Sequence, residues 1–347
     1  MLVSNRSKQV VALILVVGLF AGLQPLYDSL SYDRLILGYA RPTQVTKILQ
    51  YDAPAMTSVI VGAMLGGFRE VAASMLWMKT HSMWDTGSGT EWDALYLMRM
   101  TTLLDPHWLE PWRITAWHTA YNLYVETDDP KRQAELLELG VNVLKEGISW
   151  NPDKYDLYFE LGWTYFDKIR DYEEAARWMG AAIRFDHPEH IERLIAHGWE
   201  RVPEMEKALM WYDYCLKRRP SDHTAKGATI TIRERYLPAW RLMEEGRYDE
   251  AAEAADMYLT INPSSTLALH LKAMIYERAG DYESALEYWA RAAQTYALNH
   301  YARMKVAEMS ERLGWPVPEY ASAIYEQQQA RKQAREMAVT HSEEEAR

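Results

Sequence analysis

The second half of the chain repeats itself at a period of about 34 residues, and that periodicity restricts the fold more than any other feature of the sequence. The clearest unit runs from Thr266 to Asn299 as TLALHLKAMIYERAGDYESALEYWARAAQTYALN. Small residues and rings recur in it at set places: Ala273, Tyr276, Gly280, Tyr282, Ala285 and Ala292 stand at positions 8, 11, 15, 17, 20 and 27 of the unit. Two helical stretches on either side of a glycine turn form a hairpin that cannot bury its own apolar face. Neighbouring hairpins must stack to complete a core.

Those six positions resemble the tetratricopeptide repeat family. The resemblance implies an all-α fold, a right-handed α-solenoid whose concave surface binds other polypeptides. The family closes each repeat near a proline that cannot continue the second helix, and Pro106, Pro152, Pro188, Pro220 and Pro263 serve as that ruler here. Small residues stand twelve positions before four of them: Ala94, Gly140, Ala208 and Ala251. The unit from Tyr155 to Pro188 matches through Tyr158, Leu161, Gly162, Tyr165, Tyr172, Ala175 and Ala182, but its turn is one residue longer than the family's spacing. In the unit ending at Pro263, Pro238 is expected to interrupt or start the first helix, and Ser221 to Thr229 reads as an extra stretch. The count comes to about six hairpins, followed by a capping helix pair whose last member, containing EQQQARKQARE, is polar on nearly every face.

The N-terminus adds a different signal. Gln9 to Tyr27 carries no charged side chain, and at about 1.5 Å per residue it rises to roughly the thickness of a bilayer hydrocarbon core. We therefore expect an uncleaved transmembrane helix. A cleaved signal peptide is the rival, although a cut after Ala21 would place Leu19 where a small residue is wanted. Arg6, Lys8 and the terminal amine precede the helix while Asp28 and Asp33 follow it, which predicts a cytoplasmic N-terminus and an exported repeat domain, periplasmic in a bacterium. A second apolar run, Ala53 to Phe68, contains Thr57 and Ser58 and is too short to span, so it reads as a core helix. The expected organisation is an anchor at 1–27, a membrane-proximal helical region at 28–67, repeats at 68–299, capping helices at 300–338 and a disordered tail at 339–347.

Composition excludes some partners and chemistries. A formal net charge of -11 opposes phosphate neutralisation, so no nucleic-acid partner is expected. No glycine-rich phosphate loop, HExxH pair or GxSxG elbow occurs, and an enzymatic role finds no support in the sequence. His187, His190 and His197 with Glu189 and Glu192 come nearest to a metal set, but His190 and His197 lie about two helical turns apart, too far for joint ligation. Neither a metal nor a cofactor is expected. The lone Cys215 reads as a small buried hydrophobe.

Candidate contacts follow from the resemblance, in which positions 2, 5, 9, 12 and 13 of each unit tend to line the groove. With Tyr155 as position 1 these include Phe159, Trp163 and Phe166, and with Leu109 as position 1 they include Arg113, Trp117 and Tyr121. Arg193 in the next unit, and Arg233 and Trp240 in the one after, would interleave basic groups and rings suited to an acidic or C-terminal carboxylate segment. Rings spaced three and four apart also serve as packing residues. The layout of anchor plus exported repeats resembles accessory subunits of envelope assembly machines. Two functions are carried forward: a membrane-anchored scaffold that binds polypeptide segments of partner proteins to assemble a membrane complex, and a constitutive structural subunit without a free groove.

Overall fold

A computed structural model describes residues 69–86, 91–295 and 299–326. The membrane anchor, the membrane-proximal region and the tail expected from the sequence lie outside the described residues. Among those residues no helix is long and apolar enough to cross a membrane. All regular structure in the described part is helical.

The helices are α1 (Arg69–Thr86), α2 (Glu91–Leu104), α3 (Leu109–Trp117), α4 (Pro130–Trp150), α5 (Tyr155–Thr164), α6 (Tyr172–Ala182), α7 (His190–Arg201), α8 (Met205–Arg218), α9 (His223–Thr231), α10 (Leu237–Glu244), α11 (Tyr248–Ile261), α12 (Thr266–Ala279), α13 (Tyr282–Thr295) and α14 (His300–Leu313). Residues 319–326 are also helical. The chain divides into two compact units between His187 and Pro188. The hairpins α1–α2, α3–α4 and α5–α6 belong to the first unit. The second contains α7–α8, α9/α10–α11, α12–α13 and the terminal helices.

Local chemistry sets the helix starts. Asp129, Asp171, Asp222, Ser265 and Asn299 each stand just before a helix and accept a hydrogen bond from a first-turn N–H, on Lys131, Glu174, Ala225, Ala268 and Ala302 respectively. Such caps satisfy donors that the helix itself cannot, each worth about 1 kcal/mol. Gly280 ends α12 with φ at 82°, a left-handed conformation that glycine adopts without Cβ strain. Arg170 takes the same conformation at the end of α5's hairpin limb, with φ at 61°, held by the hydrogen bond from Asp171 N to Tyr165 O.

Three of the first helices widen before they end. α3 continues into a π-helical turn at His118–Leu123, α5 into one at Tyr165–Ile169, and α9 into one at Ile232–Tyr236 that leads directly into α10. A π turn accommodates an inserted residue without breaking the helix. In the unit starting at Tyr155, Gly162 stands at position 8 as Ala273 does, whereas Ala175 and Ala182 stand at 21 and 28 instead of 20 and 27. The surplus residue is taken up at Tyr165–Ile169, between those points, and the buried alanines of α6 recover their places. Pro238 lies in the first turn of α10, just after the third wide turn, where a missing N–H is tolerated. The extra stretch Ser221 to Thr229 is largely helical: capped by Asp222, it forms most of α9, with Ala225 and Thr229 buried.

Packing follows the small residues. A Cβ added at Gly162 would meet Met179 Cγ at 2.6 Å and Met179 N at 3.0 Å, so α5 and α6 touch nearly backbone to backbone there. The first unit's core gathers Trp112, Ala116, Leu144, Leu157 and Leu161, and the second unit's core includes the fully buried Tyr212, Tyr236 and Trp289. The closing prolines have a second role in the first unit. Pro106 O accepts from Trp112 Nε1 at 2.9 Å and Asn151 Nδ2 at 2.8 Å, and Pro152 O accepts from Tyr158 Oη at 3.1 Å. A ring donor six residues on thus pins the start of the next hairpin to the end of the last. Arg99 on α2 pairs with Glu146 on α4 at 2.7 Å, Arg99 buried and the Glu146 side chain 10% exposed, with the guanidinium 5.1 Å from the centroid of the Trp112 ring.

Candidate protein-binding surface

Two neighbouring first helices, α3 and α5, bring six of the candidate residues into one unit. α3 begins at Leu109 and α5 at Tyr155, the residues taken from the sequence as first positions. Counting along each helix therefore reaches the same side chains in the structure. Trp117 is 45% exposed, and Arg113, Tyr121, Phe159, Trp163 and Phe166 are all half-buried.

The rings form two short stacks. On α5, Phe159 and Trp163 lie 6.4 Å apart with planes 25° from parallel, and Trp163 and Phe166 lie 5.6 Å apart at 12°. Phe166 then meets the edge of Tyr172 on α6, at 5.3 Å. On α3, Trp117 and Tyr121 stack at 6.0 Å and 13°. Near-parallel stacking of this kind is a favoured geometry for aromatic pairs. Tyr121 and Phe166 both sit within the wide turns, which decide how these rings are aimed.

Charges tie the two helices together. Arg113 donates to Glu160 Oε1 from Nε at 3.1 Å and from Nη2 at 2.8 Å, and lies 3.8 Å from Asp156. Lys168 places its ammonium over the rings of Tyr121, at 4.6 Å, and Tyr124, at 5.3 Å. Burial, with the nearby charge of Asp167, raises the Tyr121 phenol above its ordinary range, so it stays protonated at neutral pH. Nothing in the sequence pointed to Lys168, because its contact joins two different hairpins through the bend of the wide turns.

Arg193, Arg233 and Trp240 belong to the second unit. Arg193 donates to Asp222 at 2.6 Å, and Asp222 is the cap of α9, so this pair joins α7 to the start of the next hairpin. Burial opposes ionisation of Asp222, but the Ala225 N–H and the Arg193 guanidinium outweigh it and hold the carboxyl below its usual range. Arg233 donates to Asp213 at 2.6 Å and remains exposed. Trp240 is half-buried and stacks on the buried Tyr236 at 5.8 Å and 20°. Both guanidinia are therefore engaged by the chain's own carboxylates.

The histidine-rich start of the second unit is likewise spoken for. Glu192 pairs with Arg218 and Glu189 with Arg219, while His197 Nδ1 lies 3.1 Å from Glu200 and 2.8 Å from the Tyr212 hydroxyl. Among the described residues no group of three or more His, Cys, Asp or Glu is placed to hold a metal ion. Cys215 is buried, and burial raises its thiol to about 11, as suits a packing residue.

Comparison with known proteins agrees with the repeat. Residues 267–296 match the family model described as tetratricopeptide repeat. Tetratricopeptide repeat protein 29 of Trypanosoma brucei brucei is 31% identical over 171 residues, 43% of this chain and 36% of that protein. Anaphase-promoting complex subunit 3 of Schizosaccharomyces pombe is 25% identical over 170 residues, 47% of this chain and 23% of that protein. The chain thus spans little more than a third, or less, of the length of the curated relatives it matches. Among solved structures, a tetratricopeptide repeat protein from Parabacteroides merdae is 11% identical with a TM-score of 0.42, covering 75% of this chain and 93% of its own. YrrB, described as a tetratricopeptide repeat protein with an unusual peptide-binding site, is 16% identical with a TM-score of 0.30, covering 59% of this chain and 95% of its own. Residues 267–296, with their glycine turn and buried small residues, thus match a tetratricopeptide repeat.

Proposed function

We propose that this chain is a membrane-anchored scaffold that holds polypeptide segments of partner proteins against the rings of α3 and α5, and so assembles or stabilises a membrane complex. The observation that carries the reading is the placement of Arg113, Trp117, Tyr121, Phe159, Trp163 and Phe166 on two adjacent helices with none of them buried. Tetratricopeptide repeat proteins generally mediate protein–protein interaction, which supports a polypeptide ligand. The uncharged stretch Gln9 to Tyr27 is the proposed anchor, with the N-terminus cytoplasmic and the repeats exported. Tethering raises the effective concentration of partners in the same membrane, so weak contacts suffice.

A binding measurement tests the ring surface. Trp117→Ala with Trp163→Ala should weaken partner capture from native membranes by about 30-fold or more, the equivalent of about 2 kcal/mol at a true hot spot, with helical circular dichroism unchanged. Unchanged capture, or collapse of the helical signal, removes the surface from consideration. A reporter fused at the C-terminus tests orientation: activity in the cytoplasm would reverse it.

A second reading has its own support. Because Arg193 and Arg233 already hold Asp222 and Asp213, a permanent subunit contact through the rings alone, with no peptide carboxylate captured, fits the second unit. Survival of a stoichiometric complex in high salt favours this subunit role, and displacement of the partner by short peptides favours the scaffold.

A further inference from the structure

Lys168 is a cation held by rings instead of a carboxylate. It stands half-buried in the wide turn after α5, and among the described residues its ammonium forms no ion pair and no hydrogen bond. It rests on Tyr121, at 4.6 Å, and Tyr124, at 5.3 Å. The other two cations of this surface are engaged by carboxylates: Arg113 donates to Glu160 with Asp156 3.8 Å away, and Arg170 lies 3.6 Å from Asp167. At a partly exposed site an ammonium over a ring shifts an equilibrium by only about two- to fivefold, and the rotamer freedom lost in fixing a lysine opposes even that. Such a contact is easily exchanged.

The surroundings of the two tyrosines favour a positive occupant. After burial, the carboxylates of Asp167 and Glu160 both help to raise the Tyr121 phenol, with Arg170 opposing them. Trp117, 45% exposed, stacks on Tyr121 and makes these rings continuous with the rest of the candidate surface. Ring faces attract cations, and a guanidinium, planar and less strongly hydrated than an ammonium, stacks on them well. We propose that Tyr121 and Tyr124 form a seat for a basic side chain of the partner segment, an arginine above all, and that Lys168 is the placeholder it displaces. The proposal rests on the reading of α3 and α5 as a polypeptide-binding surface, and it adds the chemistry of the segment: apolar or aromatic residues for the exposed rings, with a cation spaced to reach the tyrosines. An acidic segment would instead be drawn to Lys168 and would have to approach Asp156, Glu160 and Asp167.

Random heptapeptides displayed on phage and panned on the full chain test it with no sequence assumed. Clones that lose binding to the Trp117→Ala, Trp163→Ala double variant report on this surface. Relative to the unselected library, Lys and Arg should be enriched among them and Asp and Glu depleted. Their synthetic peptides, followed by fluorescence anisotropy, should bind Lys168→Met about two- to fivefold more tightly than the unaltered chain, because the seat is vacated and a like charge removed. Lys168→Arg keeps a cation on the rings and should show no such gain, while Tyr124→Leu should weaken the basic peptides by about the same factor. A gain of affinity cannot come from a misfolded variant. If no clone depends on the two tryptophans, the surface reading falls and the seat with it. If such clones exist but carry no excess of basic residues, or bind Lys168→Met equally or more weakly, the seat alone is overturned and the surface stands.

Discussion

Acidification should loosen the second unit through a single buried imidazole. His270 on α12 is buried against Trp289 and Tyr301, with ring centroids 5.1 and 5.8 Å away. Asn299 caps α14 by accepting from Ala302 N with its Oδ1, which leaves its Nδ2 facing His270 Nε2 at 2.9 Å. The amide orientation makes that imidazole nitrogen an acceptor, and a proton placed on it would confront an N–H donor. Burial, assisted by the positive charge of Arg201, lowers the His270 pKa to about 3, against 6.5 for a free histidine. Below pH 6.5 the unfolded chain therefore binds a proton that the native state refuses. Stability is complete above that value and falls as pH drops toward 3. At pH 5 the loss is about 2 kcal/mol, from 1.5 pH units at about 1.36 kcal/mol each. Hydrogen exchange of the α12 and α13 amides, corrected for intrinsic rate, reads the opening free energy directly. It should fall by that amount between pH 7.5 and 5.0, and the drop should vanish in His270→Gln. The same slope in wild type and variant would refute the assignment.

Other perturbations report on packing. Gly162→Ala drives a methyl into Met179 Cγ and its backbone nitrogen and should cost about 1–3 kcal/mol by thermal melting. Gly180→Ala meets no atom within 4 Å and should be neutral or stabilising by up to about 1 kcal/mol, so equal effects at the two sites would contradict the close approach. Glu146→Ala leaves the Arg99 guanidinium buried without its carboxylate and should destabilise the first unit by about 3–5 kcal/mol in urea titration. Arg99→Met with Glu146→Leu should recover most of that loss; a double variant as unstable as the single one would show that the pair holds the fold by shape rather than charge.

The helical hairpins were legible because their signals are local. Leu109, Tyr155 and Thr266, read as first positions from the repeat, are the first residues of α3, α5 and α12. Even the surplus residue after Gly162 was visible as a spacing error, although only the structure places it in a wide turn. Ser221 to Thr229 was legible only as an extra stretch; that most of it is helical follows from the Asp222 cap and the burial of Ala225 and Thr229, which outweigh weak helix propensity. At the surface, the six positions on α3 and α5 followed from counting along helices. The neighbours that decide their chemistry did not: Lys168 reaches Tyr121 from the next hairpin, and Arg193 meets Asp222 across 29 residues. Pairing of that kind depends on three-dimensional proximity, which no window of sequence encodes.

The wide turns carry a consequence for how such a chain can change. In the limb that starts at Tyr155 the additional residue is swallowed before Asp171, and the partner helix still delivers Ala175, Met179 and Ala182 to their buried seats. Lengthening at that point is absorbed within the hairpin, so α6 still packs the same residues against α5. A helical hairpin with this provision can gain a residue in its first limb while the seam between its two helices stays as it was.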